Sequence, residues 1–328
     1  MTQAEQPDIG EQTAGPVSVP PLARTTLDRA ALRRRDPQWL AEAWQRALVL
    51  VLDVEAGGRA LVQEHPDGSV RLVLLESAKA PEGERLFLGI DPDGTPLYAV
   101  DAELPALEGT RPAVLRDVGE RLDDRDAGLF SAAAALCNWH ASHRYSPRSG
   151  RPTTVAEAGW SRIDPDGRQM WPRTDPAMIV LVHDGVPGPD GRCLLGQNAA
   201  WKPPDGSKRF STLAGFIEPG ESAEAAVIRE VMEEVGVPVR ALHYEGSQAW
   251  PYPGSLMLGF TALADRDAPI TVDPEEIAEA RWFTRAEIAR MMAGDYHDPD
   301  TGVKVFLPMR ASIALYLIER WMAADGSP

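Results

Sequence analysis

Three glutamates in the second half of the chain carry the clearest chemistry. The segment GFIEPGESAEAAVIREVMEEVGV spans residues 215–237, and within it Glu230, Glu233 and Glu234 stand at i, i+3 and i+4. The Pro219-Gly220 turn, the Ala/Val/Ile/Met interior, Gly236 at a C-terminal left-handed position and Pro238 as a stop predict a helix opening near Ser222. On that helix all three carboxylates project from one face. Like charges so spaced destabilise a bare helix by roughly 0.2–0.5 kcal/mol per pair. A divalent cation relieves them best. Hard oxygen ligands suit Mg²⁺ or Mn²⁺, and an incompletely caged ion takes its remaining ligands from substrate phosphates. A solvated acidic face is the competing reading of the spacing alone.

The complete segment is more specific. Gly215, Glu221, Arg229, Glu230, Val231, Glu233, Glu234, Gly236 and Val237 resemble, at every specified position, the Nudix box G-x5-E-x7-R-E-U-x-E-E-x-G-U. The resemblance implies an α/β/α sandwich with a mixed sheet that hydrolyses a nucleoside diphosphate linked to a further group. It makes Glu230 and Glu234 metal ligands, and Glu233 either a ligand or a carboxylate that supports one. Arg229 and Glu221 would orient the loop and helix. The implied chemistry is metal-assisted attack of water on a pyrophosphate, with Glu234 or Glu230 taking the water's proton.

The flanks resemble the NAD(H) pyrophosphatase branch of that family. Residues 247–255 read SQAWPYPGS, similar to the branch's S-Q-P-W-P-F-P-x-S, with Ala249 in place of a proline. This reads as a Pro-stiffened loop presenting Trp250 and Tyr252 for stacking on a base or nicotinamide ring, with Gln248 and Ser255 as further substrate contacts. An ordinary aromatic turn buried against the core is the alternative. Trp171 opens a W-P-R-x-x-P-A entry into a strand, and Ala214-Gly215-Phe216 resembles the branch's A-G-F. There the Ala214 carbonyl would serve the metal and Phe216 would stack on substrate. Glu276, in DPEEIAEARW (273–282), maps onto a further metal ligand, and Ala314 onto a contact to the adenosine end. The branch implies NADH or NAD as substrate, NAD-capped RNA 5′ ends as a second one, and a homodimer with both subunits at each site. ADP-ribose or dinucleoside polyphosphates remain open as substrates, as does a non-catalytic nucleotide-binding regulatory role.

One feature of the branch is missing. A zinc ribbon built from two C-x2-C pairs usually joins its two domains. Here Ser146 and Ser149 stand at the first pair, Asp164 and Asp166 near the second, and Cys137 and Cys193 match neither. No zinc-ligating set remains. Structural zinc is therefore expected to be absent, with the junction held by packing, for example by Trp139 and Trp160. His140 and His143, at i, i+3, lack thiolate partners for a metal site.

The elements that must position these residues divide the 328-residue chain into about two domains' worth of sequence. Residues 1–26 read as a loose leader. Residues 27–143 read as a small α+β domain, residues 144–172 as the degenerate ribbon junction, and residues 173–328 as the hydrolase domain. Within the first domain, part of Asp28–Leu50 is expected to be helical with Leu27, Leu32, Trp39, Leu40, Trp44 and Leu48 on a buried side. Strands follow at 47–54, 70–75, 86–90 and 97–100, then a helix over 127–143. The second domain is read with strands at 177–182, 193–196, 256–263 and 280–283. A helix opens at Thr284 with Glu287 completing a capping box, and a closing helix spans 311–322. A net charge of −16 argues against broad electrostatic binding to nucleic acid or an anionic membrane. No apolar run is long enough to span a bilayer, two cysteines build no disulfide framework, and a reduced cytoplasm is the expected compartment. Only four of the 33 basic residues are lysine.

Overall fold

The computed structural model describes residues 19–324; the first 18 residues of the expected leader lie outside the described residues. The short helix α1 (Pro37–Trp44) leads into a sheet of β1 (Leu48–Asp53), β2 (Arg59–Glu64), β3 (Val70–Leu72), β4 (Leu74–Glu76), β5 (Arg85–Ile90), β6 (Pro96–Asp101) and β7 (Arg111–Val114). Its order is β3-β2-β1-β6-β5, with β4 beside β1 and β7 beside β2. The run Leu-Val-Leu-Val-Leu makes β1 apolar on both faces, and it sits centrally, parallel to β6. A single turn, α2 (Leu115–Val118), precedes α3 (Asp124–Ser142). The latter starts three residues before the expected 127 because the Asp123 side chain caps it, accepting from Asp126 N at 2.8 Å. Its alanines let it lie close on the sheet, with Phe130, Leu129 and Leu136 fully in the core.

One expectation fails here. Residues 31–35 form a 3-10 segment whose period differs from that of α1, so the two share no face and Leu32 stands 93% exposed.

A three-stranded antiparallel ribbon, β8 (Thr154–Ala156), β9 (Ser161–Ile163) and β10 (Gln169–Met170), occupies the junction. Where a zinc ribbon would carry thiolates, Ser146 Oγ donates to Asp164 Oδ2 at 3.2 Å. Asp164 Oδ1 accepts from the N–H groups of Asp166 and Arg168, both at 2.9 Å, and Arg151 pairs with Asp166. Both Ser146 and Asp164 are buried. The junction is therefore held by a hydrogen-bonded knuckle as well as by tryptophan packing: Trp160 Nε1 donates to Phe87 O, and the Arg34 guanidinium lies 3.7 Å from its ring centroid. His140 is spoken for, with Nε2 on Gly159 O and Arg162 on Nδ1, each at 2.8 Å. His143 stacks on Trp139.

The second sheet contains β11 (Asp175–His183), β12 (Arg192–Asn198), β14 (Leu213–Phe216), β15 (Val239–Trp250), β16 (Ser255–Ala264) and β17 (Ile277–Thr284); β13 (Lys208–Arg209) pairs separately with β18 (Val305–Phe306). Its order is β15-β16-β11-β12-β17 with β14 beside β11, and only β11–β16 is parallel. The sheet is mixed, as the resemblance implies. Alternate residues of β11 serve opposite layers. Met178, Val180 and Val182 pack on α4 (Ala223–Val235), while Ile179 and Leu181 pack on the side of α5 (Arg285–Met292) and α6 (Ile313–Ala323). This is an α/β/α sandwich preceded by an α+β unit. Thr284 and Glu287 form the capping box in full.

The segment read as a presenting loop is a β-hairpin. Residues 247–250 finish β15, Trp250 pairs with Ser255, and Pro251–Gly254 make the tip. Gln248 is buried, accepting from Leu22 N at 3.0 Å and donating to Ala311 O at 2.9 Å. The Tyr252 hydroxyl accepts from Arg116 N at 2.8 Å, and Asn138 donates to Pro251 O at 2.8 Å. The hairpin thus fastens the two sheets' domains together.

Candidate active site

The helix α4 is built as its sequence dictates. Ser222 Oγ accepts from Ala225 N at 3.1 Å, and Gly236 ends the helix at φ 70°. Its carboxylates do not share one fate. Glu230 and Glu234 turn inward, 9% and 5% exposed, whereas Glu233 lies on the flank and pairs with Arg229 at 2.9 Å. Arg229 is the hub of the segment. It reaches both oxygens of Glu221 at 2.9 and 2.8 Å, Glu230 at 2.9 Å and the Phe216 carbonyl at 3.0 Å. These bonds hold the Glu221 carboxyl down at about 2, the Arg229 bond being the largest cause, and raise the Arg229 pKa. Glu221 also accepts from Glu218 N at 3.0 Å, closing the loop before the helix.

Gly215 explains how Glu230 finds room. A Cβ there would stand 1.9 Å from the Glu230 carboxyl carbon, so the carboxylate lies on bare backbone of β14. Burial, followed by the charges of Glu230 and Glu276, pushes the Glu234 pKa up to about 8; a bond from the Ala214 N–H opposes this. Burial raises that of Glu230 as well. Glu230, Glu234 and Glu276 line one open pocket of about 430 Å³ with Ala214, Gly215, Phe216 and Arg229. Among the described residues no group of three or more acidic, His or Cys side chains is arranged to hold a metal ion. The donors nonetheless fit a hard divalent cation: the Glu234 Oε2 atom is buried without a hydrogen-bond partner, an arrangement that is costly unless a cation or proton satisfies it.

Other residues singled out from the sequence lie elsewhere. Phe216 is 61% exposed at the pocket rim. Gln248, Trp250, Tyr252, Trp171 and Ala314 are not among the residues lining the pocket. Trp250 and Tyr252 pack edge-on to each other at 5.1 Å and against the N-terminal core, which corrects their reading as rings presented on a loop. Ala314 is buried at the start of α6, and Trp171 is 58% exposed. Ser255 lines a second cleft, about 620 Å³, with Trp139, Trp160, Arg173 and Asp175. Four pocket residues escaped the sequence reading: Asn198, Ala200, Glu218 and Glu275. Glu275 had a signal, since it abuts Glu276; Asn198 had none, because only its pairing with Ile277 brings it to the pocket.

Comparison with known proteins agrees with this architecture. Residues 174–300 match the NUDIX domain, and residues 51–139 match the NADH pyrophosphatase-like rudimentary NUDIX domain. The NAD-capped RNA hydrolase NudC of Mycobacterium tuberculosis is 44% identical over 315 residues, covering 94% of this chain and 96% of that protein. The NAD-capped RNA hydrolase NUDT12 of Macaca fascicularis is 35% identical, covering 92% of this chain and 73% of that protein. The human mitochondrial NAD(P)H pyrophosphatase NUDT13 is 39% identical over 63% of this chain and 58% of its own length. The chain therefore belongs to the Nudix hydrolase family, in the branch that carries a rudimentary NUDIX domain ahead of the hydrolytic one.

Proposed function

We propose that this protein hydrolyses the pyrophosphate bond of NAD(H) to nicotinamide mononucleotide and AMP, and removes NAD caps from RNA 5′ ends. The observation that carries this reading is the complete glutamate helix, folded over Gly215, in a chain 44% identical along 94% of its length to an NAD-capped RNA hydrolase. Glu230, Glu234, Glu276 and the Ala214 carbonyl would hold Mg²⁺ or Mn²⁺. The bound metal supplies charge neutralisation at the pyrophosphate and acidity to a water. The protein's own work is positioning and proton transfer. Glu234 Oε2, buried and without a partner, receives the water's proton. Arg229 fixes Glu230, Glu221 and the Phe216 backbone as one unit, and the exposed Phe216 ring offers a stacking face for a base. Exposed Trp171, outside the catalytic pocket, supports a homodimer that covers it. The Ser146–Asp164 knuckle supports a fold without structural zinc, and two buried free thiols suit a cytoplasmic location. No described helix is long and apolar enough to cross a membrane.

Product analysis with NADH, ADP-ribose and diadenosine polyphosphates tests the substrate. NADH is expected to be fastest; if it were the slowest by tenfold or more, the reading would fail. Glu234→Gln is expected to lower kcat by at least about a hundredfold, and unchanged hydrolysis in that variant would sink the mechanism.

A further inference from the structure

On the face of the second sheet opposite α4, four charged side chains close a circuit. Lys208 Nζ lies 2.6 Å from Glu279 Oε2 and 2.9 Å from Asp298 Oδ2. Arg281 reaches the same Asp298 oxygen at 3.0 Å and approaches Glu279 Oε1 at 3.7 Å. Asp298 is 1% exposed, and its other oxygen accepts from the N–H groups of Asp300 and Thr301 at 3.0 and 2.9 Å. Two cations and two anions balance, and they tie together β13, β17 and residues 297–304. The Arg281 guanidinium also lies 5.1 and 4.7 Å from the ring centroids of Phe210 and Phe283, both in the core on the α5–α6 side.

This quartet stands beside a fault in the sheet. Gln197 faces Glu279 across β12–β17, but Asn198 faces Ile277, so β17 carries Ala278 as an extra residue. Such a bulge breaks the alternation of side chains between the two faces. Arg281 stacks toward the α5–α6 layer, yet Ile277, an even number of positions away, lies in the core beneath α4. Glu276 comes immediately before the bulge, and its carbonyl accepts from Ala199 N at 2.8 Å. A slip of one residue at this point would carry it out of the pocket. The quartet grips both chains that meet there: β17 through Glu279 and Arg281, and the loop that leaves the pocket wall at Asn198 and Ala200 through Lys208. Stability alone is a poor account of it, since buried ion pairs gain little over a well-packed apolar cluster. Charges paired at fixed distances do select one register.

We propose that Lys208, Glu279, Arg281 and Asp298 are positioning residues that fix the register at the bulge and so hold Glu276 at the metal site. The proposal deepens the hydrolase reading and rests on it for the role of Glu276 as a ligand.

The test is a double-mutant cycle read by Mn²⁺ binding without nucleotide, with free Mn²⁺ followed by electron paramagnetic resonance. Lys208→Met is expected to raise the Mn²⁺ dissociation constant about tenfold, the lower end of the range for groups that support a metal ligand, in protein that circular dichroism shows to be folded. In a Glu276→Gln background the same substitution should change the constant by less than about twofold, because the ligand being positioned is already gone. A general loosening of the domain would weaken binding equally in both backgrounds. That result, or unchanged binding in Lys208→Met, overturns the proposal. Should Lys208→Met fail to fold, Glu279→Gln, which keeps the side chain's shape, takes its place in the cycle under the same criteria. Coupling to Glu276 without any cleavage of NADH would sink the substrate reading and leave the quartet standing, whereas NADH cleavage without coupling would overturn the quartet alone.

Discussion

Gly215 and Glu230 form a pair in which the glycine's missing side chain is what the glutamate needs. A methyl group at 215 would meet the Glu230 carboxylate atoms at 1.9–2.3 Å, closer than any stable contact. Gly215→Ala is therefore expected to swing Glu230 out of the pocket. We expect kcat to fall roughly a hundredfold, the usual scale for a misplacement of about 1 Å at a reacting centre, while circular dichroism shows an intact fold. Full activity in this variant would mean that Glu230 need not lie over the strand. At this scale the sequence was most informative. The motif is contiguous, and helical geometry alone put Glu230 and Glu234 one turn apart. Their common face was legible; the departure of Glu233 was not, because it depends on Arg229 claiming that carboxylate at 2.9 Å. The purpose of Gly215 was equally hidden, since the strand and helix that meet there are brought together only by the tertiary fold.

Among the elements, the junction ribbon carries hydrogen bonds at the positions where the family's ribbon carries thiolates. Asp164 accepts from two backbone N–H groups and from Ser146, so Asp164→Ala leaves the buried Ser146 hydroxyl and two half-buried N–H groups without their acceptor. It is expected to lower stability by about 2 kcal/mol, read from denaturant melts. A zinc-selective chelator added to the wild type should leave Tm unchanged; a chelator-induced drop would reveal a metal in the ribbon. The substituted positions were visible in the sequence, but the bond between two knuckles eighteen residues apart was not. The hairpin at 247–255 was misread for a related reason. Its prolines and glycine do form the turn, as local preference directs, but the closure of Trp250 on Ser255 and the anchoring of the tip by Asn138 and Arg116 were not visible locally. The two-residue β13–β18 contact, between segments about a hundred positions apart, was hidden for the same reason.

For the molecule as a whole, the packing of α3 on the ribbon makes stability depend on pH. His140 is buried between Gly159 and Arg162, and burial, the larger cause, lowers its pKa from 6.5 to about 4. The unfolded chain takes up this proton first. Stability is therefore complete above about pH 6.5 and is lost as pH falls toward 4. A shift of that size corresponds to roughly 3 kcal/mol. His140→Gln is expected to flatten the change in Tm between pH 6.5 and 4.5, and an equally steep fall in the variant would assign the loss to other groups. The net charge of −16 describes the charge in bulk and does not show that three of the four lysines lie in or beside one strand pair. Lysine scarcity has a practical corollary. Apart from the N-terminal amine and Lys79, every primary amine of the chain lies in or beside the β13–β18 strand pair and the loop that leads into it. Acylating reagents, cross-linkers and amine-coupled surfaces will therefore concentrate on that face, and a protein immobilised through its lysines will tend to turn it toward the support.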